Sequence, residues 1–208
     1  MLDVKSFIRE NLPLTAVQSL PEIRLHIAHP GSGLRRLEGD AAPYWAYPWA
    51  GGTALARYVL DHPQTVAGRR VLDLGAGSGI VAIAASKADA GKVIAAEIDR
   101  NALAALELNA AANAVSVTII DHDVIGGEPP PVDIVLVGDL YYEHRLAKRV
   151  TAFLDRCVAA GVDVLIGDLG REHLPLSRLR VLADYPVSDF GDGKGTAPKQ
   201  GRVFAFGD

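Results

Sequence analysis

Residues 71–80 read VLDLGAGSGI, and this segment constrains the chain more than any other. Val71 to Leu74 is a short apolar run with strand character, and an alanine-rich helical pattern starts at Ile80. Gly75, Gly77 and Gly79 fill the turn between them. Glycines are needed where a backbone turns sharply and where a ligand comes close to the main chain. The start of the following helix offers N–H groups without a partner inside the helix. Strand, glycine turn and helix in this order predict an α/β sheet with a ligand at the carboxyl end of the strand. The same turn can also serve as a plain joint in a doubly wound sheet.

The rest of the chain alternates strand and helix character. Strands are predicted at 71–74, 92–96, 115–120, 133–138 and 162–166, with two more in the tail at 181–190 and 202–206. Helices are predicted at 53–61, 80–90, from a cap at Asp99 to about Asn113, and at 143–160. The fourth of these strands is almost wholly apolar, as parallel strands covered on both faces are. Ahead of them lie a short amphipathic helix at 3–11, a short strand at 25–28, a loop at 29–40 and the cluster AAPYWAYPWAGG, which holds both tryptophans. A glycine-rich, charged loop from Gly191 to Gly201 joins the tail strands. The expected fold is α/β: a Rossmann-like, doubly wound sheet of seven strands ending in a C-terminal antiparallel hairpin. A chain of 208 residues buries about 70% of its unfolded surface, which suits one domain over 1–208. Residues 1–40 are expected as an N-terminal extension packed on it.

Composition narrows the function. Hydrophobic residues at 49% and charged residues at 22% describe a globular chain. A net charge of −4 argues against a nucleic-acid partner. A single cysteine, Cys157, excludes a disulfide framework, a cysteine zinc cluster and an iron–sulfur cluster. It falls on the apolar stripe of a helix and reads as core. The six histidines have no partner at metal-ligand spacing, so no metal is expected. No apolar run reaches 18 residues, so no membrane span is expected. The opening MLDVKSFIRE resembles neither a signal peptide nor a transit peptide. A cytoplasmic monomer is expected.

Glu97 closes the second strand of the pattern, 22 residues after Gly75. A carboxylate there can accept two hydrogen bonds from a ribose diol. Dinucleotide folds favour G-x-G-x-x-G, but here the spacing is G-x-G-x-G and position 80 is Ile. Asp73, two residues before the first glycine, can hold a water or an ammonium group and would repel a pyrophosphate. Both features favour S-adenosylmethionine over a nicotinamide dinucleotide.

VLDLGAGSGI followed by AAEID resembles the class I S-adenosylmethionine-dependent methyltransferases. The resemblance implies that Asp73, Gly75, Ala76 and Gly77 hold the methionine part of the donor. It implies Glu97 on the ribose, with Ile98 beside the adenine. The third strand runs into DHDV, which puts Asp123 at the adenine amino group and Val124 at the ring. Asp121 could serve instead, and Asp123 also suits a turn-capping role.

The fourth strand ends in VGDLYYEHR, so Asp139, Tyr141 and Tyr142 are expected in the ligand crevice. Methyl transfer needs a neutral nucleophile in line with the methyl group, and a free lysine is protonated at pH 7. A carboxylate and a phenol can orient an amine, and aromatic walls strip water from it. Asp139 and Tyr142 therefore suit a lysine acceptor. Asp139 could also cap the next helix, and Tyr141 could simply pack. The Asn/Asp-Pro-Pro-Tyr/Phe turn used for exocyclic amines is absent from the end of this strand, and a reactive thiolate for cytosine chemistry is missing.

Asp139-Leu140-Tyr141-Tyr142 resembles the D-x-x-Y motif of seven-strand lysine methyltransferases. Trp49 and Tyr58 keep the family's nine-residue spacing, which implies Trp49 in the donor pocket. PYWAYPWAGG, VLDLGAGSGIVAIAA and GDLYYE together resemble the branch that methylates the electron transfer flavoprotein beta subunit. That implies a protein substrate. Eukaryotic members of this branch are mitochondrial, so the missing transit peptide points to a bacterial homologue. Relatives labelled as nicotinamide or ribosomal-protein methyltransferases keep a small pyridine and another protein open as acceptors. A methyltransferase fold that binds without reacting is the third reading, and the intact Asp73, Glu97, Asp139 and Tyr142 argue against it.

Overall fold

The computed structural model describes residues 3–39, 42–188 and 197–207. The chain opens with helix α1 (Val4–Asn11), then a hairpin of β1 (Leu14–Val17) and β2 (Leu20–His26), a single-turn helix α2 (Arg35–Glu38) and helix α3 (Ala50–Asp61). The α/β repeat follows: β3 (Arg70–Leu74), α4 (Ile80–Lys87), β4 (Lys92–Ala96), α5 (Arg100–Ala112), β5 (Thr118–Ile120), β6 (Ile134–Gly138), α6 (His144–Ala159) and β7 (Asp163–Asp168). A hairpin of β8 (Leu179–Val187) and β9 (Lys199–Phe206) ends the chain.

Seven strands form one sheet in the order β5-β4-β3-β6-β7-β9-β8. β3 to β7 are parallel to one another, and β9 runs antiparallel to both β7 and β8. Alternate side chains of each strand face opposite layers. Val71, Ile134 and Leu136 pack with α3 and α4, whereas Leu72, Leu74, Val135 and Val137 pack with α6. Cys157 lies in the α6 layer, and burial pushes its thiol up to about 11, as befits a core residue. The chain runs outward from β3 through β4 and β5 on one side and through β6 and β7 on the other. The reversal leaves a crevice over the carboxyl ends of β3 and β6.

Several boundaries differ from expectation. Of the strand expected at 25–28 only Leu25 and His26 are strand, and they end the longer β2, whose alternation is hidden by Pro21 and the wide spacing of Leu20 and Ile23. The β1–β2 hairpin stands apart from the main sheet. Its exposed edge is covered by α5, where Asn109 and Asn113 accept the His26 and Arg24 N–H groups at 2.8 and 3.0 Å. β5 has only three residues, and α3 begins three residues before Thr53. Residues 199–201, expected as loop, belong to β9, where Gly201 pairs with Tyr185. Gly191 to Thr196 lie outside the described residues.

The early start of α3 has a packing cause. A Cβ on Gly51 would sit 2.4 Å from the Gly167 carbonyl, and one on Gly138 would sit 2.9 Å from the Gly52 Cα. Gly51 of PWAGG, together with Gly138 and Gly167 on the strands beneath, thus lets the first turn of α3 lie directly on the ends of β6 and β7.

Candidate active site

A cavity of about 380 Å³ opens at the carboxyl ends of β3, β4 and β6. Trp49, Asp73, Gly75, Ala76, Gly77, Glu97, Ile98, Asp123, Val124, Asp139 and Tyr142 all line it. Asp73 is 2% exposed, and its Oδ2 accepts the Ala82 N–H at 2.9 Å in the first turn of α4. Burial pushes its carboxyl up to about 7, with the Ala82 bond opposing and the charge of Glu97 adding. Gly77 has φ +52, and a Cβ there would meet nothing nearer than 3.8 Å. The loop backbone is therefore open to the cavity at this point.

Glu97 is bound by its own loop. Oε2 accepts the Gly77 N–H at 2.8 Å, and Oε1 accepts those of Ile98 and Asp99 at 2.7 and 2.9 Å. A carboxylate has about four lone-pair sites. In this conformation Glu97 keeps capacity for one ribose hydroxyl rather than the two expected. Asp123 accepts the Ile125 N–H at 2.9 Å, the turn-capping bond, and pairs with Arg149, which holds its carboxyl below the usual range. It lines the cavity, whereas Asp121 is exposed and does not.

Asp139 adopts φ +57, a left-handed conformation that aspartate tolerates better than most residues. The turn sends its carboxylate toward α3. Oδ2 accepts the Gly52 N–H at 2.5 Å, and Oδ1 accepts from Arg171 Nη1. Burial pushes the carboxyl up to about 6, with Arg171 pulling it down. Asp139 does not cap the following helix: Glu143 does, accepting the Arg145 and Leu146 N–H groups. Tyr141, expected in the crevice, is fully buried in the α6 layer, where burial pushes its hydroxyl up to about 12. Side chains alternate after the strand, so one tyrosine packs and the other faces the cavity.

Tyr142 is half-exposed, and burial of its other half raises its hydroxyl above the ordinary value. Its ring lies 5.3 Å from that of Tyr44, which is 5.7 Å from Trp49, which is 6.3 Å from Tyr47. Trp49 donates its Nε1–H to the Tyr44 carbonyl at 2.6 Å. Sequence reasoning selected Trp49 and Tyr142 from this wall and missed Tyr44 and Tyr47. It also missed Arg171, although Arg171 follows Asp168 at the carboxyl end of β7, a position the crevice rule covers. Among the described residues, five carboxylates line the cavity, Asp73, Glu97, Asp99, Asp123 and Asp139, against the guanidinium groups of Arg149 and Arg171. That balance suits a cationic ligand and opposes a pyrophosphate. Among the described residues, no group of three or more His, Cys, Asp or Glu could hold a metal, and no helix is long and apolar enough to cross a membrane.

A doubly wound sheet with its last strand inserted antiparallel, and an acidic cavity beside a glycine loop at the switch point, define a class I methyltransferase. A model of the ribosomal protein L11 methyltransferase family (PrmA) matches residues 51–138. The electron transfer flavoprotein beta subunit lysine methyltransferase of Xenopus laevis is 39% identical over 195 residues, spanning 89% of this chain and 79% of that protein. The Danio rerio protein of the same name is 38% identical, spanning 90% and 77%. The chain belongs to the family of electron transfer flavoprotein beta subunit lysine methyltransferases, and its methyl donor is S-adenosylmethionine. The solved ribosomal protein L11 methylase of Lactobacillus delbrueckii subsp. bulgaricus shares the fold, with a TM-score of 0.53 at 20% identity over 74% of this chain and 77% of that one.

Proposed function

We propose that the protein methylates lysine side chains of the electron transfer flavoprotein beta subunit. The observation that carries this reading is where the two family matches end. The L11 methyltransferase match stops at Gly138, so it covers the donor side and leaves out Asp139, Tyr142 and Arg171. The flavoprotein methyltransferases span 89% of the chain, which takes in the acceptor side as well.

The residues present fit the donor. The open backbone at Gly77 admits its methionine part, with Asp73 buried alongside to favour the ammonium group. Glu97 has capacity for a ribose hydroxyl, and Ile98, Val124 and Leu146 offer apolar contact for the adenine. The bound donor supplies a methyl group activated by a positive sulfur. Everything else falls to the chain. Asp139 offers its carboxylate to the incoming amine, and Tyr142 and Tyr44 wall the approach. Aromatic walls remove water, which lowers the pKa of the lysine ammonium, so that it gives its proton to solvent before attack and becomes the neutral, nucleophilic amine. A neutral pyridine would gain little from a cavity with this surplus of carboxylates, which favours lysine over nicotinamide.

The test is incubation with S-adenosylmethionine and, separately, the purified flavoprotein, ribosomal protein L11 and nicotinamide, read by mass spectrometry. Methyl groups on lysines of the flavoprotein are expected. Methylated nicotinamide with an unmodified flavoprotein would overturn the reading.

A further inference from the structure

Two buried carboxylates share one cation at the acceptor end of the cavity. Asp168 has no exposed surface. Its Oδ1 accepts the Gly170 and Arg171 N–H groups, both at 2.8 Å, and its Oδ2 accepts from Arg171 Nη1 at 2.9 Å. The same Nη1 donates to Asp139 Oδ1. Asp168 thus fixes both the backbone and the guanidinium of Arg171, and Arg171 in turn fixes one oxygen of Asp139. The other oxygen is fixed by Gly52 N–H from α3. A carboxylate anchored at one oxygen still rotates about its Cβ–Cγ bond; anchored at both, its plane is set.

Among the described residues, the charged groups facing Asp139 are Arg171 and Asp168, while α3 contributes an N–H and no charge. With both carboxylates ionised, the cluster carries one uncompensated negative charge in a site largely closed to water. A single ammonium group restores neutrality there, and a neutral ring does not.

We propose that Arg171 is a positioning residue for methyl transfer: held by Asp168, it sets the plane of the Asp139 carboxylate and leaves one net negative charge to receive a cationic amine. This rests on the reading that Asp139 meets the acceptor lysine. Arg171 favours the ionised form of Asp139 and Asp168 opposes it, so the two charged neighbours act in opposite directions. Removing Arg171 raises the pH at which Asp139 ionises, and neutralising Asp168 lowers it.

The experiment compares the parent with Arg171→Met, Arg171→Lys and Asp168→Asn. The Asp139 carboxyl is titrated by carbon-13 NMR and assigned through its loss in Asp139→Asn. Turnover on the flavoprotein and affinity for S-adenosylhomocysteine are measured alongside. In Arg171→Met the midpoint should rise by roughly one to two pH units. Turnover should fall by roughly 10–100-fold, with cofactor affinity within about twofold. Arg171→Lys should recover most of both, because it keeps the charge, and Asp168→Asn should move the midpoint down. Unmoved midpoints in Arg171→Met and Asp168→Asn would sink the positioning role, as would turnover in Arg171→Lys no better than in Arg171→Met. If Arg171→Met does not fold, the direction of the Asp168→Asn shift decides. A parent that methylates no protein lysine sinks the acceptor reading, whatever the midpoints do. A parent that methylates the flavoprotein with unmoved midpoints sinks the positioning role alone.

Discussion

Glu97 and Asp139 are both carboxylates at the carboxyl end of a parallel strand, and they are held in opposite ways. The donors to Glu97 are Gly77, Ile98 and Asp99, the farthest only 20 residues away in the chain. Those to Asp139 are Gly52 and Arg171, 87 and 32 residues away. The donor end of the cavity is a local strand–loop–helix piece that ties its own acid down. The acceptor end is a junction where α3, β6 and the segment after β7 meet, and its acid exists in working form only if all three are in place. Substitutions at the first end should therefore act on binding, and those at the second on turnover.

The largest expected effect tests the acceptor end. Asp139→Asn should lower turnover by roughly 100-fold or more, since the group that orients the amine loses its charge. The fold should tolerate it, because Arg171 is left paired with Asp168 and an amide oxygen can still accept from Gly52. Melting temperature and turnover measured on one preparation decide the matter. Full activity would reduce Asp139 to an anchor for α3, and unfolding would make it structural.

Glu97→Ala should do the reverse. S-adenosylhomocysteine should bind more weakly by ~1.5–3 kcal/mol, the cost of losing a charged hydrogen-bond partner. Turnover at saturating donor should change little. Calorimetry and saturation kinetics read the two halves, and a loss confined to turnover would erase the contrast between the ends.

Asp73→Asn sharpens it further. The Asp73 carboxyl sits at about 7 in the folded state against an ordinary value of 3.8, so the folded protein holds that proton more tightly than the unfolded chain does. Its stabilising contribution is fully present below pH 3.8 and is lost as pH rises through about 7. Asparagine can keep the Ala82 acceptor without the charge. The variant should be more stable than the parent at pH 8 by ~1–3 kcal/mol, with the gap closing at low pH, yet bind the donor less well. Chemical denaturation at two pH values checks the sign, and lower stability at pH 8 would refute it. The smallest effect is expected from Tyr142→Phe. The ring contact with Tyr44 stays and only the hydroxyl goes, so turnover should fall roughly 2–10-fold.

The legibility of the chain follows the same divide. The seven-strand sheet and its hairpin were readable because each element buries a run with its own period, as Ile134 to Val137 and the Val150–Phe153–Leu154–Cys157 stripe show. β4 and the cap at Asp99 were read to the residue. The β1–β2 hairpin was not, because its order depends on docking to Asn109 and Asn113 of α5 rather than on its own alternation. Gly51 of PWAGG could be seen but not explained, since its reason is a carbonyl of β7.

By itself the sequence determined the donor end: a glycine turn with an acid before it and an acid after it is local chemistry, and a short stretch of chain carries both the geometry and the ligand preference. Tertiary structure alone decided that Tyr141 packs while Tyr142 faces the cavity, that Asp139 turns to the Gly52 N–H of α3, and that Arg171, beyond the neighbouring strand β7, reaches Asp139. The physical reason is range. A turn or a cap is satisfied within a few residues, so its partners are written beside it. A buried charge needs a countercharge wherever the packed elements happen to bring one, and that position has no signature until the sheet is assembled.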